Sequence, residues 1–457
     1  MLDILPLLQI KKREKMKQLV VIFTLWLVWM PVGAQKTLTL EECLKLGIEN
    51  NLSLEGSRNE MRKAKHLLSE NRAKLWPQIS AVAGFNDNFN PPVSVTDGSA
   101  YGNLYNVTKT LQYNASAGLQ LQMPLYNQTV YTAVDIARTL NELNRLSYEK
   151  AREDLMMQIS KMYYLGQNTM EQLTLIQENM VRLRELRDIT LAFFDNGMAM
   201  EVDVKRVNIN LENQQVQYDN AKSMLVQQLN LLKYVMDYPA EEEITLTPVD
   251  TERMQSASLT GLRSDLYELQ LLQSQEKLAG QQKDLIRQGY LPSLTLTGNW
   301  MYSAYTDKAY HWFHSGPSNH WYPSTGLGIT LRVPIFDGFD KRARIRKARI
   351  DQENAKLNYE NTLKNMQTQY LNATNELMNN QRNFKKQKDN YLLAEDVYQV
   401  TTDRYREGIA SMTEVLQDEM RMSEAQNNYL SAHYNYQVAN LALLKLTGQM
   451  DRLLQGN

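Results

Sequence analysis

One cysteine, Cys43, in 457 residues leaves no partner for an internal disulfide and excludes a cysteine-based zinc site. Charge of one sign is also missing. Fifty Lys and Arg stand against 51 Asp and Glu, so the basic excess that nucleic-acid binding requires is absent. Long apolar runs are scarce: mean hydropathy is −0.49, and beyond the N-terminal region no stretch approaches the ~20 apolar residues of a spanning helix. That excludes a multi-helix inner-membrane protein. Proline is thinnest where it matters most. Pro124 and Pro239 are separated by 114 residues without proline, and the 123 residues after Pro334 contain none. Proline breaks helix interiors, so two such tracts predict very long helices. No phosphate loop, nucleophile triad or paired catalytic carboxylate stands out, which argues against an enzyme and calls for no cofactor.

The N-terminus has the order of a secretory signal. Lys11, Lys12, Arg13, Lys15 and Lys17 precede an apolar run from Leu19 to Met30, broken only by Thr24, and the small residues Gly33 and Ala34 follow Pro31-Val32. Residues 1–34 are therefore expected to be a signal peptide. The alternative, a membrane anchor, has a run that is short for a span. Leu40-Glu41-Glu42-Cys43 places acids where a lipidation site has small residues, so the exported chain is expected to carry no lipid.

The chain repeats itself. Lys74-Leu75-Trp76-Pro77-Gln78-Ile79-Ser80 matches Gly289-Tyr290-Leu291-Pro292-Ser293-Leu294-Thr295 at an offset of 215. Leu121-Gln122-Met123-Pro124-Leu125-Tyr126 matches Leu331-Arg332-Val333-Pro334-Ile335-Phe336 at 210. Phe194-Asp195-Asn196-Gly197-Met198-Ala199 matches Tyr405-Arg406-Glu407-Gly408-Ile409-Ala410 at 211, and Leu231-Leu232-Lys233 matches Leu443-Leu444-Lys445 at 212. Four landmarks in one order at nearly one offset indicate a tandem duplication: a first repeat over 35–240, a linker over 241–260, a second repeat over 261–447 and a tail over 448–457.

Punctuation is the same in each repeat. A helical segment (40–75; 261–288) ends near a proline, since the residue before proline disfavours helix. An alternating strand, a loop rich in Asn, Pro, Gly, Ser and Tyr (90–114; 306–324) and a second strand ending at Pro124 or Pro334 follow. Long helical tracts over 127–196 and 339–407 come next, each ~100 Å at ~1.5 Å per residue. Gly197 and Gly408 close them with a turn, and a return helix runs to about Met236 or Thr447. Along the second tract Tyr359, Leu363, Met366, Tyr370, Ala373, Leu377, Asn380, Phe384, Gln387, Tyr391, Ala394, Tyr398, Thr401 and Tyr405 alternate steps of four and three. That 3.5 period predicts a coiled-coil seam.

Four strands of about ten residues suit tilted membrane strands but cannot close a barrel, since the smallest outer-membrane barrels have about eight. Three copies contributing four strands each would give twelve. Trp76, Trp300, Trp312 and Trp321 all fall in or beside strand segments, where aromatic side chains would mark the membrane interface. The alternative is a soluble β-subdomain with an aromatic core. The expected fold class is mainly α with a small β part: long coiled-coil helices plus four β-strands per protomer.

An exported, duplicated chain of this design resembles the TolC-type outer-membrane efflux proteins over residues 36–450. The likeness rests on Leu291-Pro292-Ser293-Leu294, Val333-Pro334-Ile335-Phe336-Asp337-Gly338, and Tyr405-x-x-Gly408 with Glu414-Val415-Leu416 after it. It implies a homotrimeric channel through the outer membrane and periplasm, a long coiled-coil α-barrel joined to a trimeric twelve-stranded transmembrane β-barrel with four β-strands per protomer, without chemistry of its own, served by a periplasmic adaptor and an inner-membrane pump. It further implies that Gly197, Met198 and Ala199 with Gly408, Ile409, Ala410 and Ser411 form the adaptor-docking tip. By the same resemblance Asp203 and Glu414 are pore-mouth carboxylates, and Tyr405 is a gate residue. Ala410 and Gln417 depart from the family's best-studied gate, which has an arginine and an acid there, so the latch differs in detail. On residue type alone Asp203 and Glu414 read first as helix-start acids, favoured by the helix dipole.

His311, His314 and His320 share one loop without a carboxylate cluster, and the 22 methionines read as packing residues rather than a soft-metal site. No metal site is expected. Lys341-Arg342-Ala343-Arg344-Ile345-Arg346-Lys347 is expected on the wet face of a helix just below the barrel. The functional reading is a passive, gated exit duct of a tripartite efflux or secretion system. The alternative is a structural or adaptor-like periplasmic coiled-coil protein without a pore.

Overall fold

The computed structural model describes residues 36–97, 102, 104–248, 261–308 and 321–455. The expected signal peptide, most of the expected linker, Trp312 and the three loop histidines lie outside the described residues. In chain order the elements are β1 (Lys36–Leu38), α1 (Leu40–Asn50), α2 (Leu52–Ala73), β2 (Gln78–Asp87), β3 (Val93–Asp97), β4 (Tyr105–Lys109), β5 (Tyr113–Tyr126), α3 (Gln128–Asp195), α4 (Glu201–Met236), β6 (Ile244–Leu246), α5 (Tyr267–Gln288), β7 (Ser293–Thr306), β8 (Trp321–Arg332), α6 (Asp340–Arg406) and α7 (Met412–Leu446). The chain is mainly helical with a small β part, as the proline-free tracts require.

Both long tracts are single helices, α3 of 68 residues and α6 of 67. Every one of the fourteen positions of the 3.5-period stripe on α6 is buried or half-buried, and Lys341, Ile345, Ala348, Gln352 and Ala355 continue it toward the helix start. A seam of that period keeps one face against its neighbours along the whole helix. The first helical segment is split at Asn51, whose side-chain amide donates to the Val235 carbonyl at 2.8 Å.

Two compact units are built from interleaved segments. The first takes Met1–Leu52, Arg152–Leu262 and Tyr370–Asn457. In it β1 and β6 pair in parallel, with Leu38, Ile244 and Leu246 buried. The Tyr163 hydroxyl donates to the Leu38 carbonyl at 3.2 Å. A core links all four long helical segments: Leu183 and Leu186 of α3, Val207 of α4, Tyr398 and Tyr405 of α6, and Met412, Val415 and Met422 of α7. Further along, Phe384 of α6 stacks on Tyr429, His433 and Tyr436 of α7 at ring separations of 5.8, 5.2 and 5.9 Å.

The second unit takes Ser53–Ala151 and Arg263–Gln369. Its centre is a four-stranded antiparallel sheet in the order β2-β5-β7-β8. The β5–β7 ladder joins a hairpin from each repeat, and β2 and β8 are the edges. β5 runs through Pro124 to Tyr126, with a bulge there. Pro124 lies past the last β2 pairing, Gln78↔Gln122, so its missing N–H is tolerated. The segment 90–114, expected as loop, contains the β3–β4 hairpin, registered Val95↔Val107. Alternation of Val93, Val95 and Val107 with polar residues was present there, but masked by the surrounding Asn, Pro and Gly.

Candidate functional site

Two regions attract functional interest: the paired helix turns of the first unit and the sheet of the second. The turns are built alike. Gly197 and Gly408 have φ of +70° and +75°, the left-handed region where glycine alone is unstrained. The Met198 N–H donates to the Phe193 carbonyl and the Ile409 N–H to the Arg404 carbonyl, both at 2.8 Å, while Gly197 and Gly408 donate to Phe194 and Tyr405 at 2.9 Å. The first pair are six-to-one bonds and the second five-to-two; together they satisfy helix-end carbonyls and reverse the chain. Met198 and Ile409 project into solvent, at 68% and 63% exposure, whereas Ala410 is buried in the four-helix core.

Asp203 and Glu414 occupy the same place in α4 and α7. The Glu414 N–H donates to Ser411 Oγ at 3.3 Å and the Ser411 N–H to the Glu414 carboxylate at 3.1 Å, a reciprocal capping box. Asp203 accepts from the Met200 N–H at 3.4 Å and from Arg206 at 3.1 Å, but Met200 has no side-chain acceptor to return the bond. Exposure separates the two acids: Glu414 is exposed, while Asp203 is 8% exposed. Tyr405 is 6% exposed and packs into the core, its ring 5.5 Å from that of Phe193 and its hydroxyl 3.5 Å from Thr190 Oγ1.

Behind the turns lies a polar layer that sequence reasoning missed. Gln214 donates to the buried Glu419 at 3.3 Å, and burial raises the Glu419 pKa. Asn179 donates to Gln426 at 2.7 Å. Asp418, one residue beyond the Gln417 that departs from the family pattern, accepts from Thr401 at 2.8 Å and from Arg421 at 3.2 Å. Arg406 pairs with Asp403 at 3.2 Å and reaches Glu185 at 3.7 Å. Asn, Gln and Glu on an otherwise helical polar pattern gave no sign of burial; only the four-helix packing reveals it.

The sheet separates polar from apolar by register. Side chains alternate faces along each strand, and paired residues share a face. One face collects Ile79, Ala81, Ala83 and Phe85 of β2 with Ala115, Ala117, Leu119 and Leu121 of β5. It continues through Leu294, Leu296, Trp300 and Tyr302 of β7 to Trp321, Leu327, Ile329 and Leu331 of β8. Leu327 is 76% exposed and Ile79 70%. The other face lines a cleft of about 770 Å³ with Gln78, Ser80, Gln120, Gln122, Thr297 and Asn299. A sheet with water on one side places its apolar face on a core; here the apolar face is open, which is the pattern of a strand set facing lipid.

Of the expected interface aromatics, Trp300 and Trp321 lie on that apolar face, Trp300 edge-to-face with Tyr302 at 5.6 Å. Trp76 is exposed in the turn before β2, at the opposite end of the sheet. Among the described residues no group of three or more His, Cys, Asp or Glu is arranged to hold a metal ion, and no helix is long and apolar enough to cross a membrane.

Residues 44–236 and 263–449 match the family described as outer membrane efflux protein. A relative, the outer membrane protein TolC of Vibrio cholerae, is 23% identical over 324 residues, covering 68% of this chain and 67% of that protein. The probable efflux pump outer membrane protein TtgC of Pseudomonas putida is 21% identical; the match covers 69% of this chain and 63% of TtgC, a little under two thirds. Among solved structures, the outer membrane protein VceC of Vibrio cholerae superposes with a TM-score of 0.71 at 16% identity, covering 90% of this chain and 96% of VceC.

Proposed function

The chain belongs to the outer membrane efflux protein family, and we propose that three copies of it close a shared twelve-stranded barrel to form a passive, gated exit duct. It is an outer-membrane efflux channel of a Gram-negative cell. One observation carries the trimeric reading: the sheet is apolar on one face, polar on the other, and open at both edges, β2 and β8. Four strands cannot close on themselves, and unpaired backbone is not tolerated in hydrocarbon. Pairing β8 of one copy with β2 of the next would remove every edge, turn the apolar face to lipid and leave Gln78, Gln120, Gln122 and Asn299 around a wet lumen. A pore-free periplasmic coiled-coil protein gives no reason for an open apolar face backed by a polar one.

The helical turns then form the periplasmic tip. Gly197, Met198, Ala199, Gly408, Ile409, Ala410 and Ser411 would meet a periplasmic adaptor, with exposed Met198 and Ile409 as its apolar contacts. An inner-membrane pump would drive the cargo, and an N-terminal signal over residues 1–34 would export the chain. Asp203 and Glu414, three copies of each, would set the charge at the pore mouth, with Tyr405 bracing the turns. Trp76, Trp300 and Trp321, with Trp312, would sit at the membrane interfaces.

Fractionation and light scattering of the native, detergent-extracted protein test this reading. The expected result is a heat-sensitive trimer in the outer membrane that conducts in planar bilayers. A soluble monomer could not close a barrel and would refute it.

A further inference from the structure

We propose that the first turns of α6 bind the headgroup phosphates of anionic phospholipid in the leaflet adjoining the helices. This rests on the outer-membrane reading above. Residues 340–349 carry six cations: Lys341, Arg342, Arg344, Arg346, Lys347 and Arg349. The first ten residues of α3, 128–137, carry none. A helix start has no need of cations. It opposes them, because its dipole presents positive charge there, and six neighbours of one sign repel one another.

Local anions relieve only part of this. Lys341 pairs with Asp337 at 3.1 Å and lies 5.1 Å above the Tyr290 ring, and Arg344 reaches Asp340 at 3.6 Å. Arg342, Arg346, Lys347 and Arg349 are exposed and have no acidic partner among the described residues. A cluster held against its own electrostatics implies an external anion.

The segment before the helix says what carries that anion. The apolar face of β8 runs through Leu327, Ile329 and Leu331 to the end of the strand. Val333, Ile335, Phe336 and Phe339 follow, all exposed, Ile335 at 94%. Phe336 and Phe339 meet edge-to-face at 5.5 Å, so the exposed pair is ordered rather than splayed. From sheet to helix the order is apolar face, aromatic loop, cations. Hydrocarbon, interface and phosphate planes follow one another in the same order across one leaflet. A free phosphate would satisfy the arginines but leave the phenylalanines in water.

Each Lys or Arg beside an anionic surface is worth about fivefold in partition, so four make phosphatidylglycerol strongly preferred over phosphatidylcholine. The test places purified full-length protein in bilayer nanodiscs of phosphatidylcholine mixed with phosphatidylglycerol and measures the ratio of the two lipids retained on re-extraction. Wild type should enrich phosphatidylglycerol, and high salt should reduce the enrichment. Arg342→Gln with Arg346→Gln, Lys347→Gln and Arg349→Gln should abolish it. Replacing the three arginines by lysine should preserve it, since the charge is kept. Equal enrichment in wild type and the glutamine variant overturns the proposal, as does loss in the lysine variant, and so does displacement of the lipid by inorganic phosphate. Cell fractionation separates this from the parent reading. A variant that stays in the outer membrane as wild type does, with unchanged lipid preference, sinks the lipid site alone; wild type absent from the outer membrane sinks both.

Discussion

Ser411 and Glu414 hold each other at the start of α7: the Glu414 N–H donates to Ser411 Oγ at 3.3 Å, and the Ser411 N–H donates to the Glu414 carboxylate at 3.1 Å. The carboxylate proposed for the pore mouth is thus also a helix cap. Glutamine separates the two roles, because it retains the capping box but not the charge. Glu414→Gln with Asp203→Asn should lower the preference for cations in planar bilayers while leaving the thermal midpoint near that of wild type. Glu414→Ala should in addition cost about 1 kcal/mol of stability. An unchanged reversal potential in the amide variant would remove both acids from the pore mouth.

Gly197 and Gly408 test the turns without touching packing. A Cβ built on either meets nothing within 4 Å, so φ of +70° and +75° is the only objection to a side chain. Gly197→Ala or Gly408→Ala should each cost about 1–2 kcal/mol, and Asn, which tolerates the left-handed region, should cost less. Thermal denaturation of the four variants measures it. Equal losses for Ala and Asn would mean that something other than backbone strain makes these positions glycine.

Long-range order was legible in the sequence where it depends on period and punctuation. The α6 stripe from Tyr359 to Tyr405 was visible because apolar residues recur every 3.5 positions, and Gly408 ended it because only glycine suits that turn. The split at Asn51 and the β3–β4 hairpin were not visible. The first is set by a tertiary bond to Val235, and the second is a short alternation inside a loop-like composition. The burial of Glu419 and Gln214 was not visible either, because a helical pattern cannot tell a solvent face from one covered by a second helical pair. The two faces of the sheet were half visible: β7 alone showed the alternation, but register across four strands was needed to align Leu121, Leu296 and Ile329 on one side.

His433 should make the protein acid-sensitive. It is fully buried on α7 among Phe384, Tyr429 and Tyr436, and neither ring nitrogen has a hydrogen-bond partner among the described residues. Burial, with Lys388 of α6 adding to it, lowers its pKa to about 4. Above pH 6.5 the ring is neutral folded or unfolded and contributes nothing. Between 6.5 and 4 the unfolded chain takes up a proton that the folded chain refuses, so about 3 kcal/mol of stability is lost as pH falls. Glu171, which accepts from Tyr429, and Glu419 work in the opposite sense: burial raises their pKa, so their contribution is lost as pH rises. His433→Phe should therefore flatten the acid limb of a plot of thermal midpoint against pH. If that limb is as steep in the variant, another group is responsible.

Gly118 lies where the two repeats of the sheet meet most closely. It sits on the polar face of β5, opposite Met301 of β7, in the ladder that joins one hairpin to the other. A Cβ there would lie 2.2 Å from the Trp300 carbonyl oxygen and 2.7 Å from Met301 Cα. Both are backbone atoms of the neighbouring strand, so no rotamer change relieves the overlap and the strands must part. Gly118→Ala should sharply reduce the amount of protein assembled in the outer membrane. Gly84→Ala is the matched control, since its Cβ would meet only Ser116 Oγ at 3.5 Å, an ordinary contact. Quantitative fractionation of both variants decides the matter. Wild-type levels for Gly118→Ala would mean that the β5–β7 ladder accommodates a wider spacing and that the close approach does not govern assembly. Loss in both variants alike would point to a general intolerance of added side chains on the polar face rather than to this junction.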